Sequence, residues 1–168
     1  MHVSRARVEE IERLYSEYGS VLLLFAAAIT GERSRAQDAV HQVFLKLIEG
    51  GSLRHISDTK AYLFACVRNA ALNEIKARQR HIELDLEQDW FKPMNPDRSV
   101  VLDLQRALRA LPDDQRQVTV LHIWGELTFV QIADVLGVSS NTAASRYRYA
   151  LGKLRDAMWA KGSSRVNF

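Results

Sequence analysis

Cysteine and proline are both scarce in this chain, and so are long apolar runs. The one cysteine, Cys66, leaves no possibility of an intrachain disulfide, which excludes the small secreted scaffolds braced by such bonds. Standing between Ala65 and Val67, it reads as a reduced, buried thiol. The longest apolar stretch, residues 21–29, is far short of the roughly 20 residues that a membrane-spanning helix requires. At the amino end, Arg5 and Arg7 run straight into Glu9, Glu10 and Glu12 without an apolar segment or a small-residue cleavage site, so secretion is not expected. Alternating β-branched residues are also missing. Apolar positions recur at three and four instead, which predicts an all-α protein; the lone thiol, the absent signal segment and the short apolar run predict a cytoplasmic one with no membrane insertion.

Helical patterns fall into two groups. Val8, Ile11, Leu14, Tyr15 and Tyr18 lead into the apolar run, and Gly31 stands where a helix-closing glycine belongs. A second helix is expected from Ser34, with Gln37 completing a capping box and Ala36, Val40, Val43, Phe44, Leu47 and Ile48 facing inward; Gly50 and Gly51 end it. A third begins near residues 57–59 and carries Phe64, Val67, Ala71 and Ile75 on one face. Periodicity then fails across residues 83–98, where Pro93 and Pro96 occur and acids dominate, predicting a flexible linker between domains at 8–82 and 99–160. Helical pattern resumes through Val101, Leu104, Leu108 and Leu111, breaks at Pro112 and continues to Trp124.

The formal net charge of +3 says little, but its distribution is uneven. Between residues 54 and 81, six basic residues face two acids, a balance of +4. Residues 139–155 hold four basic residues and no acid, another +4, whereas Glu83, Asp85, Glu87 and Asp89 make the connector anionic. Such a layout suits nucleic-acid contact by two separate cationic surfaces.

Residues 127–154 carry the sharpest signal. Thr128 and Gln131 form a capping box, flanked by Leu127 and Ile132 at the positions of a hydrophobic staple; Phe129, Ile132, Ala133 and Leu136 make one apolar stripe. Gly137 follows at the C-cap, Val138 plugs the corner, and Ser139 or Ser140 caps a second helix running through Leu154. Helix, glycine turn, helix is the arrangement whose second member enters the DNA major groove. At about 100° per residue, Ala143, Tyr147, Ala150 and Leu154 face inward. The opposite side then offers Asn141, Thr142, Ser145, Arg148 and Tyr149, with Arg146 on the flank, where a phosphate contact is expected rather than a base contact. Arginine pairs with guanine and asparagine with adenine, while hydroxyls suit phosphates.

This segment, LTFVQIADVLGVSSNTAASRYRYALGKLR, resembles region four of bacterial sigma factors, with RALRALPDDQRQVTVLHIWG as its lead-in helices. Upstream, LYSEYGSVLLLFAAAITGERSRAQDAVHQVFLKLIE and TKAYLFACVRNAALNEIKARQR are similar to region two of the extracytoplasmic-function group. The resemblance implies an initiation factor that binds core RNA polymerase, recognises a promoter and opens it, and an anti-sigma partner. It assigns Asp38 and Gln42 to the polymerase-docking face, with Phe44 in the core. It assigns residues 54–59 and the following helix to capture of the minus-ten element, through Lys60, Tyr62, Arg68, Asn69, Asn73, Lys76 and Arg78, with Phe64 in the core. Ala144 and Tyr149 stand where many members are basic, so promoter preference does not transfer. A sixteen-residue connector reaches ~53 Å at ~3.3 Å per residue, and with the domain widths it spans elements ~16 base pairs, or ~55 Å, apart.

The alternative is a stand-alone helix-turn-helix regulator with an amino-terminal dimerisation or sensor domain. Catalysis is not expected and neither is a cofactor or metal: His2, His41, His55, His81 and His122 are scattered, and no nucleophile is paired with a base. The tail, residues 161–168, reads as disordered or as a minor contact.

Overall fold

The computed structural model describes residues 3–50, 53–78 and 98–164, and among these it has seven helices and no strand. Helices α1 (Arg5–Thr30), α2 (Arg33–Glu49) and α3 (Thr59–Arg78) form an amino-terminal bundle. Helices α4 (Arg98–Ala110), α5 (Asp113–Ile123), α6 (Phe129–Leu136) and α7 (Ser140–Ser164) form the second module. The all-α expectation of two helical modules holds; nearly all of the expected linker, together with Arg80 and Gly51, lies outside the described residues.

The apolar run of α1 has a positional cause. Helices α2, α3 and α5 all pack on α1, so Leu22, Leu24, Phe25, Ala26, Ala27 and Ala28 are buried together. A helix covered on several sides is apolar all round. Gly31 closes it with a left-handed φ of 73° and its N–H on the Ala27 carbonyl.

The second helix departs from expectation. It opens at Arg33 with Glu32 as its extended N-cap, and the Ser34–Gln37 capping box does not form. Glu32 competes for the serine: its carboxylate accepts Ser34 Oγ at 2.6 Å and Arg35 Nε at 2.9 Å. At the other end, Arg7 donates twice to the Leu47 carbonyl (3.1 and 2.7 Å), placing a cation on the negative end of α2.

Helix α3 is started by Asp58, a cap that the sequence pattern did not single out; its Oδ1 accepts the Ala61 N–H at 3.0 Å. Phe64, Val67 and Ala71 are buried as expected, Phe64 edge-to-face with Phe25 at 5.6 Å. Cys66 is only half-buried, because it faces a cleft between α2 and α3. Helix α7 runs ten residues past Leu154, so the first half of the expected disordered tail is helical.

The two modules share one core. A continuous buried cluster runs from Ile11, Leu22, Phe25, Phe44 and Phe64 into Val118, Leu121, Leu127, Ile132 and Ala143. Modules of about 65 to 75 residues are marginal alone, and joining them buries more apolar surface. Arg116 provides the polar counterpart. Its guanidinium donates to the carbonyls of Leu108 (2.9 Å), Arg109 (3.0 Å) and Leu111 (2.7 Å) at the end of α4, and to Ala28 of α1 (3.0 Å). Two helix C-termini therefore share one largely buried cation.

Arg116→Ala leaves these carbonyls without their charged donor and is expected to cost about 3 kcal/mol, read from urea unfolding. Arg116→Lys should recover only part of it, because an ammonium lacks the planar fork. Equal stability of both variants with the wild type would contradict this role.

Candidate nucleic-acid interface

The helix-turn-helix is built from local signals that all form. Thr128 Oγ1 accepts the Gln131 N–H at 3.2 Å while Gln131 Oε1 accepts the Thr128 N–H at 2.8 Å, the reciprocal capping box. Leu127 and Ile132 are buried on either side of it. Gly137 adopts φ 67°, where a side chain is strained, and turns the chain into α7. Ser139, of the two serines considered, is the cap: its Oγ accepts the Thr142 N–H at 3.1 Å and donates to Thr142 Oγ1 at 2.9 Å. Gly125, ahead of α6, is required on steric grounds, since a Cβ there would sit 2.5 Å from the Leu121 carbonyl oxygen.

Helix α7 is held by its inner face. Ala143 and Ala150 are fully buried and Leu154 nearly so. Tyr147 is half-buried in an aromatic cluster that sequence reasoning missed: His122 stacks on Phe129 at 4.5 Å and meets Tyr147 edge-on at 4.5 Å. His122 Nδ1 donates to the Leu127 carbonyl at 2.8 Å, which orients the ring. The spacing 122, 129, 147 spans three helices, so no single-helix period reveals it.

The outer face is open. Asn141, Arg148 and Tyr149 are exposed, Tyr149 by 64%, and Thr142 and Ser145 are half-buried. Arg148 Nη2 donates to Ser145 Oγ at 3.4 Å, so these two expected base-readers act as one patch. Arg146 is instead engaged with Asp114 of α5 at 3.3 Å. A partly exposed ion pair of this kind contributes no more than about 1 kcal/mol, so a phosphate can replace the carboxylate.

On the first module, α2 and α3 enclose a cleft of about 230 Å³. Tyr62, Asn69 and Asn73 line it from α3 at steps of seven and four, together with Cys66. From α2 come Gln42 and Lys46, the latter also missed, although its place one turn after Gln42 signals the shared face. Gln42 Nε2 donates to Glu74 Oε1 at 2.9 Å, so this residue, expected with Asp38 on one docking face, turns towards α3 while Asp38 stays exposed. The Tyr62 hydroxyl is raised above its ordinary pKa, first by its hydrogen bond with Cys66 and then by electrostatic interaction with that thiol and burial. The cleft therefore offers a neutral ring, three amides and one ammonium. Lys76 is exposed and Lys60 half-buried. Arg68 is half-buried with its Nε lacking a partner, and the side chain of Arg78 lies outside the described residues. Among the described residues no cluster of His, Cys, Asp and Glu is arranged to hold a metal ion, and no helix is long and apolar enough to cross a membrane.

Residues 14–81 match the family model described as Sigma-70 region 2, and residues 107–156 the one described as Sigma-70, region 4. The chain is 29% identical over 162 residues to the ECF RNA polymerase sigma factor SigL of Mycobacterium tuberculosis, covering 90% of each. It is an extracytoplasmic-function member of the sigma-70 family. The ECF RNA polymerase sigma factor EcfG of Rhodopseudomonas palustris is 27% identical over 148 residues, covering 84% of this sigma factor and 81% of that one. The sigma factor RpoE of Bartonella quintana, solved in complex with the anti-sigma factor NepR, shares the fold with a TM-score of 0.67 at 24% identity, over 88% of this chain and 97% of that one. Family membership makes this protein a transcription initiation factor that works by promoter recognition.

Asp58 sits where the two modules meet. Its pKa is lowered, chiefly by the Ala61 N–H and next by the Gln131 amide, since both donate to the ionised form. A depressed native pKa contributes stability that is complete above the unfolded value near ~3.9 and is lost as pH falls through the native value. Urea midpoints should therefore show Asp58→Asn less stable than wild type at pH 7, with the gap narrowing as pH drops below about 4. A gap that is constant with pH would remove this role.

Proposed function

We propose that this sigma factor binds core RNA polymerase in the cytoplasm and directs it to promoters through two contacts. The module at residues 99–160 reads the minus-35 element with Asn141, Thr142, Ser145, Arg148 and Tyr149, and Arg146 exchanges Asp114 for a phosphate. The module at residues 8–82 captures the minus-10 strand, its bases entering the α2–α3 cleft beside Tyr62, Asn69 and Asn73. Lys60, Arg68, Lys76 and Arg78 supply the cationic field for the backbone. Asp38 and Gln42 on α2 serve polymerase docking, and residues 83–98 tether the modules. An anti-sigma factor is the expected antagonist, in line with the complex in which the Bartonella protein was solved.

The observation that carries this reading is the presentation of α7: a helix anchored by Ala143, Tyr147, Ala150 and Leu154 that leaves Asn141, Arg148 and Tyr149 in solvent. No acid occurs from residue 139 to 155. The cationic segment of each module, residues 54–81 and 139–155, carries a net charge of only +4, a small phosphate complement, so the isolated chain should bind promoter DNA weakly.

A gel shift with and without core polymerase tests this. Tight, specific binding is expected only with the polymerase present, whereas strong specific binding by the chain alone would instead make it a free-standing regulator. Within the holoenzyme, Arg148→Ala should weaken promoter binding by about 1–3 kcal/mol and relax specificity at one minus-35 position. An unchanged sequence preference would remove Arg148 from base reading.

A further inference from the structure

Helix α7 meets the rest of its module mainly through small side chains at the end proposed to read bases. From Ser140 to Ala150 the fully buried positions are Ala143 and Ala150, and Tyr147 is the one large apolar side chain on the inner face. An alanine allows close approach, but it has no atoms beyond Cβ with which to interlock against a turn about the helix axis. Leu154 is buried ~10 Å farther along that axis. On the flank, the Arg146–Asp114 pair at 3.3 Å is given up in the proposed exchange for a phosphate, so it does not hold α7 on DNA. Rotation of the reading end therefore rests on Tyr147.

Two rings grip Tyr147. Phe129 of α6 lies 5.6 Å away at 53°, and His122 of α5 meets it at 4.5 Å and 66°. His122 is itself fixed twice, stacked within 13° of parallel on Phe129 and bonded through Nδ1 to the Leu127 carbonyl at 2.8 Å. The turn that carries this carbonyl is held in its own right, by the Leu127 N–H on the Leu121 carbonyl at 3.1 Å. One imidazole thus ties α5, the following turn and α6 to α7. Its leverage is large, because side-chain ends stand ~5–6 Å from a helix axis and a turn of ~20° moves them by ~2 Å. An N–H···O bond tolerates only a few tenths of an ångström.

We propose that His122 is a positioning residue for promoter recognition, whose ring sets the rotation of α7 and thereby the sharpness of the minus-35 preference. This rests on the reading of α7 as the base-contacting helix. His122 acts through Tyr147 and not by touching DNA. Without the ring, Asn141 and Arg148 ride on a helix that is free to turn. Phosphate contacts, which carry no sequence information, survive such a turn by side-chain adjustment, whereas paired bonds to a base edge lose their geometry and with it their discrimination.

The test is a competition among promoters randomised in the minus-35 and minus-10 elements for binding by the reconstituted holoenzyme. His122→Asn keeps an N–H donor without a ring, and His122→Leu fills the space without a ring, so one of them remains should the other not fold. Each should flatten the minus-35 preference roughly tenfold, the worth of one bidentate base contact, and leave the minus-10 preference unchanged. His122→Phe keeps the ring and should stay close to the wild-type preference. In a Tyr147→Ala background His122→Leu should add nothing, because the side chain it acts through is gone. Partial unfolding lowers binding to every sequence alike, so the preference and not the total binding reports the role. A minus-35 preference as sharp without the ring as with it, an equal flattening of both elements, a His122→Phe protein as flat as His122→Leu, or an additive effect in the Tyr147→Ala background would each overturn the proposal. Arg148→Ala in the same competition separates the two claims. If it too leaves the minus-35 preference intact, the proposal falls together with the reading of α7; if it flattens the preference while His122→Leu does not, the positioning role falls alone.

Discussion

Burial of helix α1 is the constraint from which the rest of the structure follows. A chain of 168 residues divided into two helical modules cannot give either a large core, and α1 resolves this by serving both. Its Leu22–Ala28 band is apolar on every side because α2 and α3 need it for the first module and α5 needs it from the second. Arg116 is the polar consequence of the same junction: where α1 and α4 end near each other, their carbonyls require a donor, and one guanidinium supplies it. Within this frame, α7 keeps Asn141 and Arg148 exposed, and α3 keeps Asn69, Asn73 and Lys76 exposed.

The presentation of α7 links local sequence to function. Two caps and a left-handed glycine set the angle between α6 and α7, and the His122–Phe129–Tyr147 cluster fixes the rotation of α7 about its axis. Small Ala143 and Ala150 let it approach the lead-in helices closely. With the inner face fixed, the backbone that carries Asn141, Ser145 and Arg148 need not be ordered on binding, which reduces the entropic cost of any contact they make. The α2–α3 cleft follows a similar logic, since a rigid pair of helices presents amides from both walls to whatever enters.

Elements governed by short-range rules were legible in the sequence. The Thr128–Gln131 box, Gly31 and Gly137, the Pro112 break and the inward stripe of α7 each depend on residues within a turn or two of one another. Where a local rule had a competitor the reading failed: Ser34 resembled a cap, but Glu32 takes its hydroxyl. Cys66 looked buried because its neighbours are apolar, yet its own direction on α3 places it at the cleft. Contacts between elements were not legible, because periodicity reports which face is inward and not what lies opposite. The Gln131–Asp58 bond, the Arg146–Asp114 pair and the turn of Gln42 towards Glu74 all belong to that class. Family resemblance supplied roles for such residues, while the structure supplied their partners.

A sigma factor is defined by what it makes polymerase do. The function proposed for its two modules gives the solvent-facing helix α7 to duplex DNA and the α2–α3 cleft to unstacked bases, and it requires that both act through one enzyme. Run-off transcription with purified core polymerase on genomic promoter fragments tests that requirement most directly. Discrete transcripts that depend on added protein, and that disappear when Arg146 and Arg148 are both changed to glutamate, are the predicted result. Start sites that are the same with and without the protein, or unaffected by those reversals, would contradict it.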